Sequence, residues 1–297
     1  MKRLSIVIVT YNSEKDIFEC VKSVQQYTDI PLSEIELIIV DNNSREVDIM
    51  FSNLQKQYGN YIILEKNASN GGYGQGNNVG IRKATAPIIL IMNPDIRLIE
   101  PVFRTAVEAF DNIPELTIYG MKQMLTPTMP STSSFTCTYM MNGYISTVLT
   151  AICTRLEWYF PSFMYIHGSC FFIRKSHFEE IGLFDESNFM YGEEDDIRYR
   201  LRKKGFKKII YNHQKHYIHL TREREPNLSY ELKLINAVIS LNAKKGYSVN
   251  KTVINRIRNT NLLIIKELIK IKLRMGSIKR YNMLMNYKSE LQRLLIQ

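Results

Sequence analysis

Leu4-Ser5-Ile6-Val7-Ile8-Val9-Thr10-Tyr11-Asn12 opens the chain with an apolar run that turns abruptly polar. A short, β-branched run of this kind is what a strand buried on both faces of a parallel sheet shows. Ser13-Glu14-Lys15-Asp16 then has the form of a capping box, followed at helical spacing by Ile17, Cys20, Val21 and Val24. A second strand is expected over Glu36–Val40, ending at Asp41, with a helix near Val47–Tyr58 and a third strand at Tyr61–Glu65. The glycine-rich stretch Asn70–Gly80 leads into a helix and then a fourth strand, Ile88–Met92. Strand, helix, strand at this rhythm means βαβ units and a mostly parallel sheet flanked by helices. Ligands of such sheets lie beyond the carboxyl ends of the strands. Thr10-Tyr11-Asn12, Asp41-Asn42-Asn43 and Asn93-Pro94-Asp95 therefore share one rim.

Past Asp95 the pattern loosens. Residues 120–165, rich in Ser, Thr, Met and aromatics, yield no firm assignment. Cys170–Ile173 reads as a strand after His167-Gly168-Ser169, and Ser176 is placed to cap a short helix that Gly182 stops. A helix over Asp195–Lys204 closes at Gly205. Ile209–Tyr211 and His216–Leu220 read as a strand and its continuation, and beyond Arg222-Glu223-Arg224-Glu225-Pro226 the chain is expected to be helical to its end. The expected organisation is a domain over residues 1–225, with halves 1–119 and 120–225, and a helical region over 226–297.

At 45% apolar and 23% charged residues, the 297-residue chain has the composition of an ordinary globular protein. Met1-Lys2-Arg3 runs straight into a strand without a small-residue cleavage site, so no signal peptide is expected. Tyr139–Thr154 is interrupted by Asn142 and Gly143 and closed by Arg155 and Glu157, short of the roughly 20 apolar residues a spanning helix needs. No transmembrane helix is expected, and a cytoplasmic location follows, free or peripheral on the inner face of the plasma membrane. Cys20, Cys137, Cys153 and Cys170 lack metal or disulfide spacing and read as buried thiols. The net charge of +10 sits in the tail: from Lys251 to Gln297, 11 Lys+Arg oppose 2 Asp+Glu, which leaves 28 against 27 in the first 250 residues.

Several residues suggest chemistry. Asp41 and Asp95 each follow an apolar strand; a carboxylate there suits nucleotide hydroxyls or a hard divalent cation. Four glycines within Gly71-Gly72-Tyr73-Gly74-Gln75-Gly76 allow close approach of backbone to a ligand, or tight chain packing. Glu193-Glu194-Asp195-Asp196 exceeds what a helix start requires. A general base needs one carboxylate in a cleft, and like-charged neighbours raise the pKa of such a group. His213, His216 and His219 fall three apart, which alternates faces on a strand, so one of them at most serves a given ion.

In order, these pieces resemble the family 2 inverting glycosyltransferases of GT-A (Rossmann-like) fold, especially rhamnosyltransferase-like bacterial enzymes of cell-surface polysaccharides such as capsule and O-antigen. The resemblance runs roughly from Leu4 to Thr221. Its elements are Ser5 to Asn12, Val40-Asp41-Asn42-Asn43-Ser44, Asn70-Gly71-Gly72-Tyr73 with Asn77-Asn78, Met92-Asn93-Pro94-Asp95, Gly168 to Arg174, Phe184-Asp185-Glu186, Met190 to Asp196, and Tyr211 through His219. It implies that Thr10, Tyr11 and Asn12 line a nucleotide pocket, that Asp41 binds base or ribose, and that Asn70, Gly71 and Asn77 lie beside the nucleotide. Asn93-Pro94-Asp95 takes the DxD position, with Asp95 and His219 on Mn²⁺ or Mg²⁺. Glu194 falls at the catalytic base, flanked by Glu193 and Asp196. Apart from the resemblance, Trp158, His167 and Gly168 are read as acceptor-side or supporting residues, Trp158 either stacking on a sugar or filling a core. The donor implied is a nucleoside-diphosphate sugar, dTDP-rhamnose or a UDP-sugar, and the acceptor a saccharide or lipid-linked saccharide. Asn93 departs from the usual first aspartate.

In the tail, Lys266, Lys270 and Arg274 form one stripe beside an apolar arc of Leu262, Ile265, Ile269 and Leu273. A basic amphipathic helix suits an anionic membrane surface; packing on the catalytic domain, a partner subunit or a homodimer are the alternatives. Rival functions are an inactive nucleotide-sugar-binding scaffold and a basic nucleic-acid-binding protein. The nearly neutral body and the lack of a groove-reading motif argue against nucleic acid. A nucleotidyltransferase would need basic residues near the first turn, and Thr10–Ser13 has none.

Overall fold

The computed structural model describes residues 1–131, 134–220 and 225–295. Arg222-Glu223-Arg224, from the stretch before the expected helical region, and Thr221, where the resemblance ends, lie outside them. The chain divides into two compact units, Met1–Ser134 with Ile166–Phe189 and Ile197–Thr221, and Phe135–Tyr165 with Met190–Asp196 and Arg222–Gln297. This grouping follows contacts rather than chain order, so residues 135–165 and 190–196 belong with the C-terminal helices.

The first unit is built from β1 (Leu4–Thr10), α1 (Glu14–Gln26), β2 (Ile35–Asp41), α2 (Val47–Tyr58), β3 (Ile62–Lys66), α3 (Tyr73–Lys83), β4 (Ile88–Met92), β5 (Ile96–Leu98), α4 (Phe103–Asn112) and β6 (Leu116–Met124). After the intervening elements β7 (Phe135–Cys137), α5 (Gly143–Leu156) and β8 (Met164–Ile166) come β9 (Cys170–Arg174), α6 (Lys175–Glu180), α7 (Glu193–Lys204), whose first turn falls in the second unit, and β10 (Lys208–His219). The sheet has eight strands in the order β3-β2-β1-β4-β9-β6-β10-β5. β1 pairs in parallel with β2 on one side and β4 on the other. The strand order reverses at β1 and β4, where such sheets open a ligand crevice. This is the mostly parallel sheet expected, with antiparallel strands confined to β9 and β5. Ile6, Val7 and Ile8 of β1, Leu37–Val40 of β2 and all of β4 are buried, which explains their unbroken apolar character. Each such side chain contributes about 1.5–3 kcal/mol.

Local details differ from expectation. Ser13 stands at the N-cap of α1 but makes no side-chain capping bond; its hydroxyl turns back to the Tyr11 carbonyl, 3.1 Å away. The glycine-rich stretch does not precede a helix but forms α3 itself. A Cβ on Gly80 would lie 2.5 Å from Val7 Cγ1, and one on Gly76 2.6 Å from the Asn42 amide. These glycines let α3 lie directly on β1 and β2, so tight chain packing is what they serve. α6 starts at Lys175 behind Arg174, not behind a Ser176 cap. β10 is one strand with an irregularity between Asn212 and His216.

The second unit contains β7 paired with β8, helix α5, and α8 (Leu228–Lys244), α9 (Val249–Lys272) and α10 (Ile278–Arg293). Residues 120–165, opaque in sequence, thus supply two short strands and a helix. Ile235, Val253, Tyr287 and Leu291 form the core of the three C-terminal helices. Arg256 braces it, donating to Glu231 Oε2 at 2.7 Å and to the Tyr287 hydroxyl at 3.0 Å. α5 lies against α9 at Gly143, where a Cβ would meet the Asn255 carbonyl oxygen at 1.9 Å. α9 closes at Lys272, and Arg274 has φ 57°, so Arg274 leaves the stripe that Lys266 and Lys270 share. Among the described residues, no helix is long and apolar enough to cross a membrane.

Candidate active site

The turn between β4 and β5 carries Asn93-Pro94-Asp95 at the rim, and three neighbours fix it. Asn93 N–H donates to the Ser169 carbonyl at 2.9 Å, and Ile96 N–H returns to the Asn93 carbonyl at 3.2 Å. Arg97 Nη1 donates to the carbonyls of Pro94 (3.0 Å) and Ile96 (2.7 Å). β5 then pairs antiparallel with the end of β10, setting His219 opposite Ile96, and Leu220 N–H donates to the Asp95 carbonyl at 3.0 Å. Two residues far apart in sequence meet as a result: His219 Nε2 lies 3.3 Å from Asp95 Oδ2.

The other oxygen, Asp95 Oδ1, is buried without a hydrogen-bond donor. Such an orphaned acceptor costs about 1–3 kcal/mol, a cost that a cation bound there removes. A half-buried carboxylate with an imidazole beside it suits Mn²⁺ or Mg²⁺, which prefer oxygen ligands. The donor set therefore fits a divalent ion. Among the described residues, no group of three or more His, Cys, Asp or Glu could hold a metal. The chain offers Asp95 and His219, and other oxygens must complete the shell. Burial first, and the nearby His219 second, push His167 down to about 4, so its ring stays neutral at this rim. Its backbone N–H donates to the Ser134 carbonyl (3.2 Å), while the Gly168 carbonyl accepts from the Tyr73 hydroxyl at 2.6 Å.

At the ends of β1 and β2, several expected nucleotide contacts turn inward. Asp41 is fully buried. Its Oδ1 accepts from Ser44 N–H at 2.7 Å and its Oδ2 from Thr10 Oγ1 at 2.9 Å and from the Ser44 hydroxyl. Thr10 is likewise buried. The Thr10 hydroxyl and the Asp41 carboxylate thus tie the ends of β1 and β2 together directly behind the exposed rim residues. Asn77 is also buried, and its Nδ2 donates to the Tyr73 carbonyl at 2.9 Å. The exposed residues here are Tyr11, Asn12 and Asn43, the two asparagines at φ 49° and 66°. Asn70 Oδ1 accepts from Gly72 N–H at 3.0 Å, ordering the turn that contains Gly71. Gly72, at φ +93°, leaves no room for a side chain: a Cβ would sit 1.9 Å from the Phe189 carbonyl oxygen.

In the second unit, α7 starts at Glu193 after Tyr191 and Gly192, at φ 82° and 90°. Of its four acids, Glu193, Asp195 and Asp196 are buried and Glu194 alone is partly exposed. Asp195 Oδ2 lies 3.1 Å from Lys245 Nζ. Burial, reinforced by the Glu194 charge, pushes the Glu193 carboxyl up to about 8. Three of the acids thus serve the helix start, and Glu194 is the one available to solvent. The buried Tyr139 phenol, pushed up to about 12 chiefly by desolvation, also feels the Glu194 charge. Trp158 is 56% exposed beyond the end of α5, whereas Tyr159 packs edge-on against Phe135 at 5.5 Å. Arg97 and Lys245, which fix these groups, belong to no pattern legible in the sequence.

Residues 5–182, more than half of the chain, match the family model described as Glycosyl transferase family 2. The low-salt glycan biosynthesis hexosyltransferase Agl10 of Haloferax volcanii is 29% identical over 208 residues, which is 68% of this chain and 62% of that protein. A poly(ribitol-phosphate) beta-glucosyltransferase of Bacillus spizizenii is 34% identical over 94 residues, 31% of this chain but 15% of that longer protein. The chain thus spans less than two thirds of either relative. Among solved structures, the mannosyltransferase PcManGT from Pyrobaculum calidifontis, in complex with GDP-Man and Mn²⁺, superposes with a TM-score of 0.63 at 12% identity over 99% of this chain and 86% of that one. Staphylococcus aureus TarS 1-349 gives 0.55 at 13% identity, over 99% of this chain and 81% of that one. At such identities the likeness speaks for the fold, which is that of GT-A glycosyltransferases. The rim turn, the eight-stranded sheet and the matched residues 5–182 together establish that the chain belongs to glycosyl transferase family 2.

Proposed function

We propose that the chain is an inverting, metal-dependent hexosyltransferase, moving a sugar from a nucleoside diphosphate to a saccharide or lipid-linked saccharide in cell-surface glycan biosynthesis. The observation that carries this reading is the donor-less Asp95 Oδ1 beside His219 at the crevice of the sheet. Relatives named for hexosyl and glucosyl transfer, and the GDP-Man and Mn²⁺ of the PcManGT complex, support the same chemistry. The donor is dTDP-rhamnose or a UDP-sugar.

In this mechanism Asp95 and His219 hold Mn²⁺ or Mg²⁺, which when bound supplies positive charge to the leaving diphosphate. Tyr11, Asn12 and the Asn70-Gly71 turn cradle the nucleotide, with Asp41 and Thr10 supporting the loops from behind. Glu194 accepts the proton of the acceptor hydroxyl as that oxygen bonds to the anomeric carbon and the bond to the diphosphate breaks. The configuration inverts in one step. Glu193, Asp195 and Asp196 hold the helix start that presents Glu194, and Trp158, His167 and Gly168 serve the acceptor side. The basic stretch over residues 251–297 brings the enzyme to the cytoplasmic face of an anionic membrane.

A thermal-shift panel of sugar nucleotides with and without Mn²⁺ tests this, because a ligand bound only by the native state raises its stability. One or a few donors should stabilise the chain in a Mn²⁺-dependent way, and Asp95→Ala should abolish that dependence. A chain that responds to no sugar nucleotide would sink the proposal.

A further inference from the structure

Helix α5 is docked by its small and polar residues and turns its large aliphatic ones outward. On the docked side, Gly143 meets α9, Thr147 Oγ1 accepts from Asn259 Nδ2 at 2.7 Å, Thr150 Oγ1 accepts the Cys137 N–H at 3.2 Å, and Cys153 is buried. On the outer side, Ile145, Val148, Ile152 and Leu156 recur at helical spacing and, with Trp158, are each 47–56% exposed. A surface helix of a globular protein normally does the reverse. Arg155 is the lone charged residue of α5. Nearby α9 continues the pattern. Past Asn255 and Asn259, which meet α5, Ile265, Ile269 and the following Leu273 are 52%, 54% and 64% exposed. Lys266, Lys270 and Lys272 flank them.

We propose that α5, Trp158 and the C-terminal half of α9 form one lipid-docking face that lies in the headgroup region of an anionic membrane. It rests on the reading that the chain works at a membrane surface, but assigns the inserting part to α5, outside the basic tail. An exposed apolar stripe flanked by lysines is the pattern of interfacial helices, and Tyr144 and Trp158 at the two ends of α5 are the amphipathic aromatics that favour the interface. The charge selects the occupant. A two-fold contact with a second copy would set Lys266, Lys270, Lys272 and Arg155 against themselves. Anionic headgroups complement the same residues.

Trp158 is the only tryptophan of the chain, so its emission reports on this face directly. The full chain is titrated with phosphatidylcholine vesicles with and without phosphatidylglycerol. With the anionic vesicles, the emission should shift to the blue, brominated acyl chains should quench it, and the chain should co-sediment less as salt rises. Val148→Asp and Ile152→Asp should each weaken partitioning by about tenfold, and Lys266→Glu by about fivefold or more. Val148→Phe, which keeps the face apolar, should bind at least as tightly, and circular dichroism checks that each variant is folded. Co-sedimentation with unmoved Trp158 emission would show that the basic region binds without α5 and would overturn the proposal. Failure to co-sediment at all would overturn it too, as would a dimer in analytical ultracentrifugation that Ile152→Asp dissociates. None of these readouts involves sugar transfer, so the enzymatic reading stands or falls separately.

Discussion

Lys245 Nζ lies 3.1 Å from Asp195 Oδ2, and both side chains are only 3% exposed. Lys245, the residue that closes α8, thereby pins the first turn of α7. A carboxylate so engaged is committed to structure, which leaves Glu194 as the accessible acid. Removing one partner of a buried pair strands the other charge, at about 3–5 kcal/mol. Lys245→Met should therefore lower the urea midpoint by that equivalent, and the double variant with Asp195→Asn should recover much of it. Equal losses in the single and double variants would refute the pairing.

Glu193 provides a pH test. Its carboxyl is raised from an ordinary 4.5 to about 8, so the native state holds that proton more tightly than the unfolded chain does. The stability from this group is fully present below about 4.5 and falls as pH rises towards about 8. Glu193→Gln should flatten that decline in urea melts collected across this range. An unchanged slope would mean that other groups set it.

For catalysis, Glu194→Gln should cut transfer by about 10²–10⁴-fold. The melting temperature should hardly move, because Glu194 is the least buried of the four acids. Release of nucleoside diphosphate in the presence of acceptor measures the rate. A glutamine variant as active as the parent would assign the base elsewhere.

Gly72 and Gly59 make a matched pair. Both have positive φ, but a Cβ on Gly72 would strike the Phe189 carbonyl oxygen at 1.9 Å, while nothing lies within 4 Å of one on Gly59. Gly59→Ala should cost about 1–2 kcal/mol from backbone conformation alone. Gly72→Ala should cost about 3 kcal/mol or more, since Phe189 must also move. Thermal unfolding of the two variants separates the terms.

How far the sequence speaks depends on what each residue touches. Leu4–Val9 and Ile88–Met92 are legible because burial on both faces leaves no polar alternation to confuse the period. Asp95 is legible as a carboxylate after an apolar strand, but that His219 lies beside it is not, since the pairing that joins them, β5 with β10, links stretches far apart in sequence. The partners of Thr10, Asp41 and Asn77 are not legible, because a polar residue at a strand end or helix face reads alike whether it meets a ligand or a neighbouring loop. Residues 120–165 stay opaque for another reason: α5 inverts the usual amphipathic order, with threonines and a glycine inward and isoleucines outward. Ser13 has a capping pattern but spends its hydroxyl on Tyr11.

The Asp41 carboxylate joins the loops that follow β1 and β2. It grips Thr10 from β1 and Ser44 from the next loop, and the Ser44 hydroxyl in turn takes the Asn12 N–H at 2.8 Å. Two loops that arise from different strands are thereby riveted into a single shelf that cannot widen on one side alone. Under the proposed function, retuning the chain towards a different base would mean resurfacing the shelf at Tyr11, Asn12 and Asn43, whereas a change to the rivet itself would disturb both loops together.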